Sequence, residues 1–249
     1  MRHILSRQNP EIKNVYALRL SKERTGQKLF IAEGTRAVIT LLQSNAHVHT
    51  IYVTEKNLEH ISSHLNEKNI CVVSSHVMEK ISQAATPSGI LGVFEMPPEP
   101  KPELLSCGMV LAHIGDPGNM GTLIRTAAAM NISSTVVVEG ADPWSFKVVQ
   151  SSAGFITHVN IFQWSWQQLI AHAKEHNLAC AALVVSGGTT IETLSKERTL
   201  LVIGSEAHGI PQDWLAECTT QITLKMPGHI ESLNAAIAGS IALYLVFGQ

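Results

Sequence analysis

Along residues 1–95, short apolar runs alternate with segments whose apolar positions recur at helical spacing. Asn9-Pro10 followed by Ile12, Val15 and Leu18 predicts a capped amphipathic helix with proline at its first position. Leu29–Ala32 predicts a strand, Glu33-Gly34 a turn, and Thr35–Leu42 a helix. Strands at Thr50–Thr54, Ile70–Val73 and Ile90–Phe94 are separated by helices at Leu58–Leu65 and Val77–Ile81. This alternation predicts a small α/β/α domain over residues 1–95.

Met96-Pro97-Pro98-Glu99-Pro100-Lys101-Pro102 then interrupts the pattern. Prolines at that density exclude helix and central strand, so residues 96–104 read as a stiff linker. Alternation resumes over residues 105–249. Strands are predicted at Met109–Ile114, Thr135–Glu139, His158–Phe162, Ala179–Val185, Thr199–Gly204 and Gln221–Met226. Helices are predicted at Thr122–Met130, Trp144–Ser151, Trp166–Glu175, Asp213–Ala216 and Leu233–Phe247. Continuous apolar strands such as Leu200-Leu201-Val202-Ile203 suit a parallel sheet buried on both faces. The fold class is α/β in both halves.

Three predicted strand ends carry glycine-bearing loops: Gly115–Gly121, Gly204–Ile210 and Met226–Asn234. In a parallel sheet all three lie at the carboxyl edge, where α/β proteins bind ligands. They supply one cation (Arg125), one acid (Glu206) and the short polar groups Asn119, Ser205, Ser232 and Asn234. That set suits positioning and charge stabilisation. Ser232 is placed to cap the last helix.

Composition narrows the chemistry. Net charge is −2, with no global signature of nucleic-acid binding, but residues 1–36 hold eight Lys or Arg against three acids. A basic region on a near-neutral chain fits either a solvated helix face or a polyanionic partner touched at one end. Four scattered cysteines form no C-x-x-C pair, no zinc spacing and no disulfide framework, as in a reducing cytoplasm. The N-terminus shows no signal-peptide pattern, and the longest apolar run, within 233–247, falls short of a membrane span. The expected location is cytoplasmic, with neither membrane nor metal as a partner.

Two lookalikes compete. Gly115, Gly118 and Gly121 with Glu139 imitate a dinucleotide fingerprint, but the spacing is G-x-x-G-x-x-G and Pro117 interrupts it. His172, Glu175 and His176 imitate a metalloprotease string, but Trp166, Leu169, Ile170 and Ala173 form the apolar face, which turns the two histidines to water.

Taken together, Asp116–Ala127, Gly204-Ser205-Glu206 with Gly209-Ile210, and Met226, Gly228 and Glu231-Ser232-Leu233-Asn234 resemble the three motifs of the SpoU (TrmH) family of RNA ribose 2′-O-methyltransferases, within the SPOUT superfamily. Asn9-Pro10, Phe30–Gly34 and Thr86–Ile90 resemble the substrate-binding domain that often precedes the catalytic one, similar in fold to ribosomal RNA-binding proteins. The resemblance implies S-adenosylmethionine (SAM) as methyl donor and a C-terminal segment threaded into a trefoil knot, a topology nearly absent among folds. It also implies a homodimer through the C-terminal domain, with the active site near the interface. Gly204, Leu224, Met226, Ser232, Leu233 and Asn234 would hold SAM. Arg125 would activate and orient the ribose hydroxyl, with Asn119, Glu206, Ser232 and Asn234 around it. Ribosomal RNA is the implied substrate ahead of transfer RNA. Gln150 stands where many members have arginine. An RNA-binding protein with a degenerate methylase site, or a nucleotide-dependent oxidoreductase, are the alternative readings.

Overall fold

The computed structural model describes residues 1–44, 46–62, 67–191, 194–205, 207–228 and 232–248. The chain forms two compact units. The first comprises Met1–Pro98 and Trp144–Thr157, the second Glu99–Pro143 and His158–Gln249. The stretch Trp144–Thr157, which the linear reading places in the C-terminal half, therefore packs with the first unit.

In chain order the first unit begins with β1 (Arg2–Ile4), α1 (Pro10–Ala17), α2 (Ser21–Gln27), β2 (Leu29–Glu33), α3 (Thr35–Gln43) and β3 (Val48–Thr54). It continues with α4 (Glu59–Ser62), β4 (Ile70–Val73), α5 (Ser75–Ile81) and β5 (Ile90–Glu95). Its five strands run in the order β1-β4-β3-β5-β2. The β1, β4 and β3 pairings are parallel and β5 is antiparallel to β3 and β2. Alternate strand residues face opposite sides. Ile31, Tyr52, Cys71, Val73, Leu91 and Val93 pack under Ile12, Val15, Val77 and Ile81 of α1 and α5. Phe30 stacks with Phe94 at 5.7 Å between ring centroids and meets Trp144 at 5.1 Å.

Asn9 caps α1 as expected: its side chain accepts from the Glu11 N–H at 2.8 Å, and Pro10 opens the helix. β1 and α2 were not legible. β1 is three residues long with one buried side chain, and α2 has no apolar stripe. The C-terminal part of the helix expected over 58–65 lies outside the described residues.

The second unit begins with β6 (Gly108–Ala112), α6 (Pro117–Ala129) and β7 (Ser134–Val138). The next element, α7 (Phe146–Ser151), belongs to the first unit. The second unit then resumes with β8 (Asn160–Gln163), α8 (Trp166–Glu175), β9 (Ala179–Val184), β10 (Thr199–Gly204), α9 (Gln212–Glu217), β11 (Thr220–Thr223) and α10 (Ala235–Phe247). All six strands are parallel, in the order β11-β9-β10-β6-β7-β8. β6, β7 and the first five residues of β10 are fully buried, which explains the apolar runs Met109–Ala112, Val136–Val138 and Leu200–Ile203 within them. Strand order reverses between the adjacent central strands β6 and β10, so the crevice at their carboxyl ends is a topological switch point.

Three expectations need correction. α6 starts five residues early: Asp116 caps it, accepting from the Asn119 N–H at 2.8 Å, and Pro117 takes the first helical position. Gly118 and Gly121 are thus helical residues, tolerated at about 1 kcal/mol each against alanine. The cap of α10 is Asn234, not Ser232; its Oδ1 accepts from the Ala236 and Ile237 N–H groups at 2.9 and 3.2 Å. His172 does not face water. It is buried, and its Nε2 lies 3.0 Å from the Leu105 carbonyl oxygen.

Candidate cofactor pocket and active site

The loops after β9, β10 and β11 and the start of α10 enclose a cavity of about 380 Å³. Leu183, Val184, Ile203, Leu224 and Leu233 supply apolar wall, and Ser205, His208 and Ser232 supply polar groups. Its volume falls within the roughly 300–1,000 Å³ of small-molecule sites. Five of the residues the sequence assigns to a cofactor (Gly204, Leu224, Met226, Ser232 and Leu233) line it together. The sixth, Asn234, caps α10 beside it instead.

One wall is a tight backbone turn. Ser205 and Gly209 exchange backbone hydrogen bonds at 3.2 and 2.9 Å, and Gly209 has φ of +64°. A β-carbon on Gly204 would stand 2.5 Å from the Gly209 carbonyl carbon and 2.7 Å from the Ile210 nitrogen. Only glycine lets the strand end pass so close to its own return. The opposite wall depends on α10 lying close to the sheet: a β-carbon on Gly239 would stand 2.6 Å from Leu123 Cδ2 and 2.8 Å from Ile203 Cδ1. Thr126 Oγ1 and Ser240 Oγ, 2.9 Å apart, join α6 to α10 as well.

Asn119 and Asn234 meet: the Asn234 side-chain amide donates to Asn119 Oδ1 at 3.3 Å, tying the first turn of α6 to the cap of α10. Arg125 lies on α6 with its side chain exposed and does not line the cavity. Among the described residues it makes no hydrogen bond or ion pair. Glu206 lies outside the described residues. The Gln150 side-chain oxygen accepts from the Glu33 backbone N–H at 3.2 Å, so this amide is engaged at the end of β2 in the first unit.

The sequence reading missed the β9 side of the pocket, Leu183 to Val185, and the residues Ile203, Ala235 and Ala238. The signal for the first was present: Gly187-Gly188 follows β9, and the Gly188 N–H donates to Thr223 Oγ1 at 2.9 Å beside the cavity's β11 wall.

The neighbouring crevice does not make a dinucleotide site. Gly118 and Gly121 are inside a helix, and the helix N-terminus is occupied by the Asp116 carboxylate, where a pyrophosphate would have to sit. Glu139 Oε2 lies 3.2 Å from His113 Nδ1, and the His113 ring stacks on Trp214 at 4.6 Å. No group of three His, Cys, Asp or Glu among the described residues is placed to hold a metal ion. Burial pushes the Cys180 thiol up to about 11 and the Cys218 thiol up to about 12, away from nucleophilic use.

A parallel α/β unit with a backbone-walled pocket at its carboxyl edge is the setting in which α/β proteins bind small ligands. A family model described as the SpoU rRNA Methylase family matches residues 107–244. One described as the MRM3-like substrate binding domain matches residues 9–92. The chain belongs to the SpoU rRNA methylase family, an enzyme class of SAM-dependent RNA 2′-O-methyltransferases. It is 27% identical over 253 residues to the 23S rRNA (guanosine(2553)-2′-O)-methyltransferase RlmP of Bacillus subtilis (strain 168), covering all of both chains. It is 31% identical to an uncharacterized tRNA/rRNA methyltransferase of Synechocystis sp., covering 97% of this chain and 92% of that one. The crystal structure of an AdoMet-bound rRNA methyltransferase from Sinorhizobium meliloti superposes with a TM-score of 0.86 at 25% identity, covering 98% of this chain and 97% of that one.

Proposed function

We propose that this chain transfers the methyl group of SAM to a ribose 2′-hydroxyl of ribosomal RNA. The observation that carries the reading is the convergence of Gly204, Leu224, Met226, Ser232 and Leu233 on one cavity. The full-length similarity to an enzyme named for a 23S rRNA nucleotide supports ribosomal over transfer RNA.

The residues fit the donor. Leu183, Leu224 and Leu233 offer apolar surface for a flat purine, and the turn Ser205–Gly209 and Ser232 offer backbone and hydroxyl groups for its polar parts. When bound, SAM supplies a methyl group on a sulfonium, which leaves as a neutral thioether. Arg125 is the catalytic residue on the RNA side. A guanidinium is a cation that cannot accept a proton, so it serves as electrostatic clamp and not as base: it stabilises the alkoxide developing on the 2′-oxygen as the hydroxyl proton is released to water, and holds the adjoining phosphate. Asn119 and Asn234 act as positioning residues through their mutual hydrogen bond. Ser232 supplies a hydroxyl on the cavity wall, and Glu206 is assigned to the same site by its motif alone.

The active form is a homodimer through the second unit, its C-terminal segment passing through a trefoil knot. Ile237, Ile241, Tyr244 and Leu245 are exposed along α10, an apolar face of the kind that subunits cover. The cysteines, none of them in a disulfide, suit the cytoplasm.

The test is methyl transfer from labelled SAM to ribosomal RNA by the wild type and by Arg125→Ala, with SAM affinity measured in parallel. The expected result is loss of transfer in the variant with SAM binding intact. Wild-type turnover in Arg125→Ala removes the assigned role, and RNA binding without any transfer by the wild type favours a degenerate methylase site.

A further inference from the structure

The basic N-terminal region does not act as one surface. Arg24 is buried, and one of its guanidinium nitrogens donates to the Leu18 and Arg19 carbonyls, each at 2.8 Å. Arg2 is bound to Glu11. Arg24 is thus held within the fold, and the charge of Arg2 is paired with an acid.

A different subset converges. Arg7, Gln8, Lys13, Tyr16 and Lys80 line a separate concavity of about 340 Å³ on the first unit. It draws on the segment before α1, one side of α1 and the end of α5. Arg7 is fixed there: its Nε donates to the His76 carbonyl at 2.6 Å and an NH2 group to Glu79 at 2.7 Å. The ring of Tyr16 holds Lys80 Nζ at 3.6 Å from its centroid and the Arg19 guanidinium at 4.2 Å. Lys13 is exposed, with no side-chain partner among the described residues. The lining holds three cations and no acid, and Glu79, which sits behind Arg7, offsets only one of them.

We propose that this concavity binds a backbone phosphate of the RNA substrate. The inference rests on the reading of the chain as an RNA methyltransferase and gives that reading a docking point outside the methyl-transfer site. Lys13 and Lys80 supply point charges and Arg7 a braced fork, the combination that grips a phosphate without reading a base. Tyr16 keeps the Lys80 ammonium in the concavity by the attraction of its ring face for positive charge.

The probe is a fluorescein-labelled, mixed-sequence single-stranded RNA of about twelve nucleotides, titrated by anisotropy at several salt concentrations. The full chain is compared with Lys13→Ala/Lys80→Ala and with Lys174→Ala, an exposed cation on α8. The double variant is expected to bind roughly tenfold more weakly, with the slope of log affinity against log salt reduced by about 1.4, or about 0.7 per cation removed. Lys174→Ala keeps wild-type affinity and slope, and all three proteins bind SAM equally. Absence of RNA binding by the wild type, or wild-type affinity and slope in the double variant, overturns the proposal. Methyl transfer is scored separately. A weakened double variant alongside a wild type that never methylates RNA upholds the docking point and removes the enzymatic reading. A methylating wild type with an unchanged KM for RNA in the double variant does the reverse.

Discussion

Gly204→Ala is the sharpest perturbation the pocket offers. The added β-carbon would lie 2.5 Å from the Gly209 carbonyl carbon, 2.7 Å from its oxygen and 2.7 Å from the Ile210 nitrogen. Ordinary contacts begin near 3.4 Å, so one backbone strand must retreat by about 0.9 Å. No side chain can rotate to absorb this, because all three neighbours are backbone atoms. Overpacking of this kind costs about 1–3 kcal/mol. The two hydrogen bonds between Ser205 and Gly209 weaken with it, at about 1 kcal/mol each. The combined loss of about 3–5 kcal/mol corresponds to a melting temperature lower by roughly 6 °C or more. Because the displaced turn is a wall of the cavity, SAM affinity falls by about tenfold or more, about 1.4 kcal/mol. Gly209→Ala is the matched control. Its β-carbon meets nothing within 4 Å, so it carries only the strain of φ +64°, about 1–2 kcal/mol. Calorimetric SAM titration and thermal melts of both variants check the argument. A Gly204→Ala protein that binds SAM like the wild type, or suffers less than Gly209→Ala, refutes it.

Other outcomes follow from single contacts. Asn234→Ala removes the cap of α10 and its bond to Asn119; a loss of about 1 kcal/mol is expected by chemical denaturation, and Asn234→Asp, which keeps a capping oxygen, recovers most of it. Glu33 is buried and accepts from Ser82 Oγ and from the Gln83 and Ser88 N–H groups, the last two at 3.2 Å. Glu33→Ala orphans those donors and is expected to lower stability by about 2–4 kcal/mol in the same assay. Burial raises the Cys71 and Cys180 thiols from 9.0 to about 11. Their protonated forms are favoured in the folded state, so this contribution is full below pH 9 and is lost as pH rises toward 11. Melting temperatures measured across that window are expected to fall, and replacing both with alanine flattens the fall.

Most of the scaffold was legible because its strands are apolar on both faces or bounded by turn residues. β10 and α8 fall where the pattern put them, and Ser165 and Gln168 reinforce α8 with a capping box. The starts of α6 and α10 were not. Glycines at 118 and 121 read as loop, while Asp116 and Pro117 override that signal from the N-terminal side. Likewise Ser232 and Asn234 are both good caps by type, and only the backbone path decides that Asn234 is used. His172 was misjudged because Leu105, the carbonyl that accepts it, lies 67 residues away in sequence. Within the site, residues in glycine-bearing strings were found and those on the plain apolar end of β9 were not. A strand end announces itself as a wall only once its neighbours are known, and β9 becomes one by lying between β10 and β11.

The most direct measurement of the central claim maps ribose 2′-O-methylation across ribosomal and transfer RNA from cells with and without this protein. The account predicts that a ribose methyl group on ribosomal RNA disappears with the protein and returns when the wild type, but not Arg125→Ala, is supplied. An unchanged ribose methylation map, or a lost methyl group that sits on a base, contradicts it.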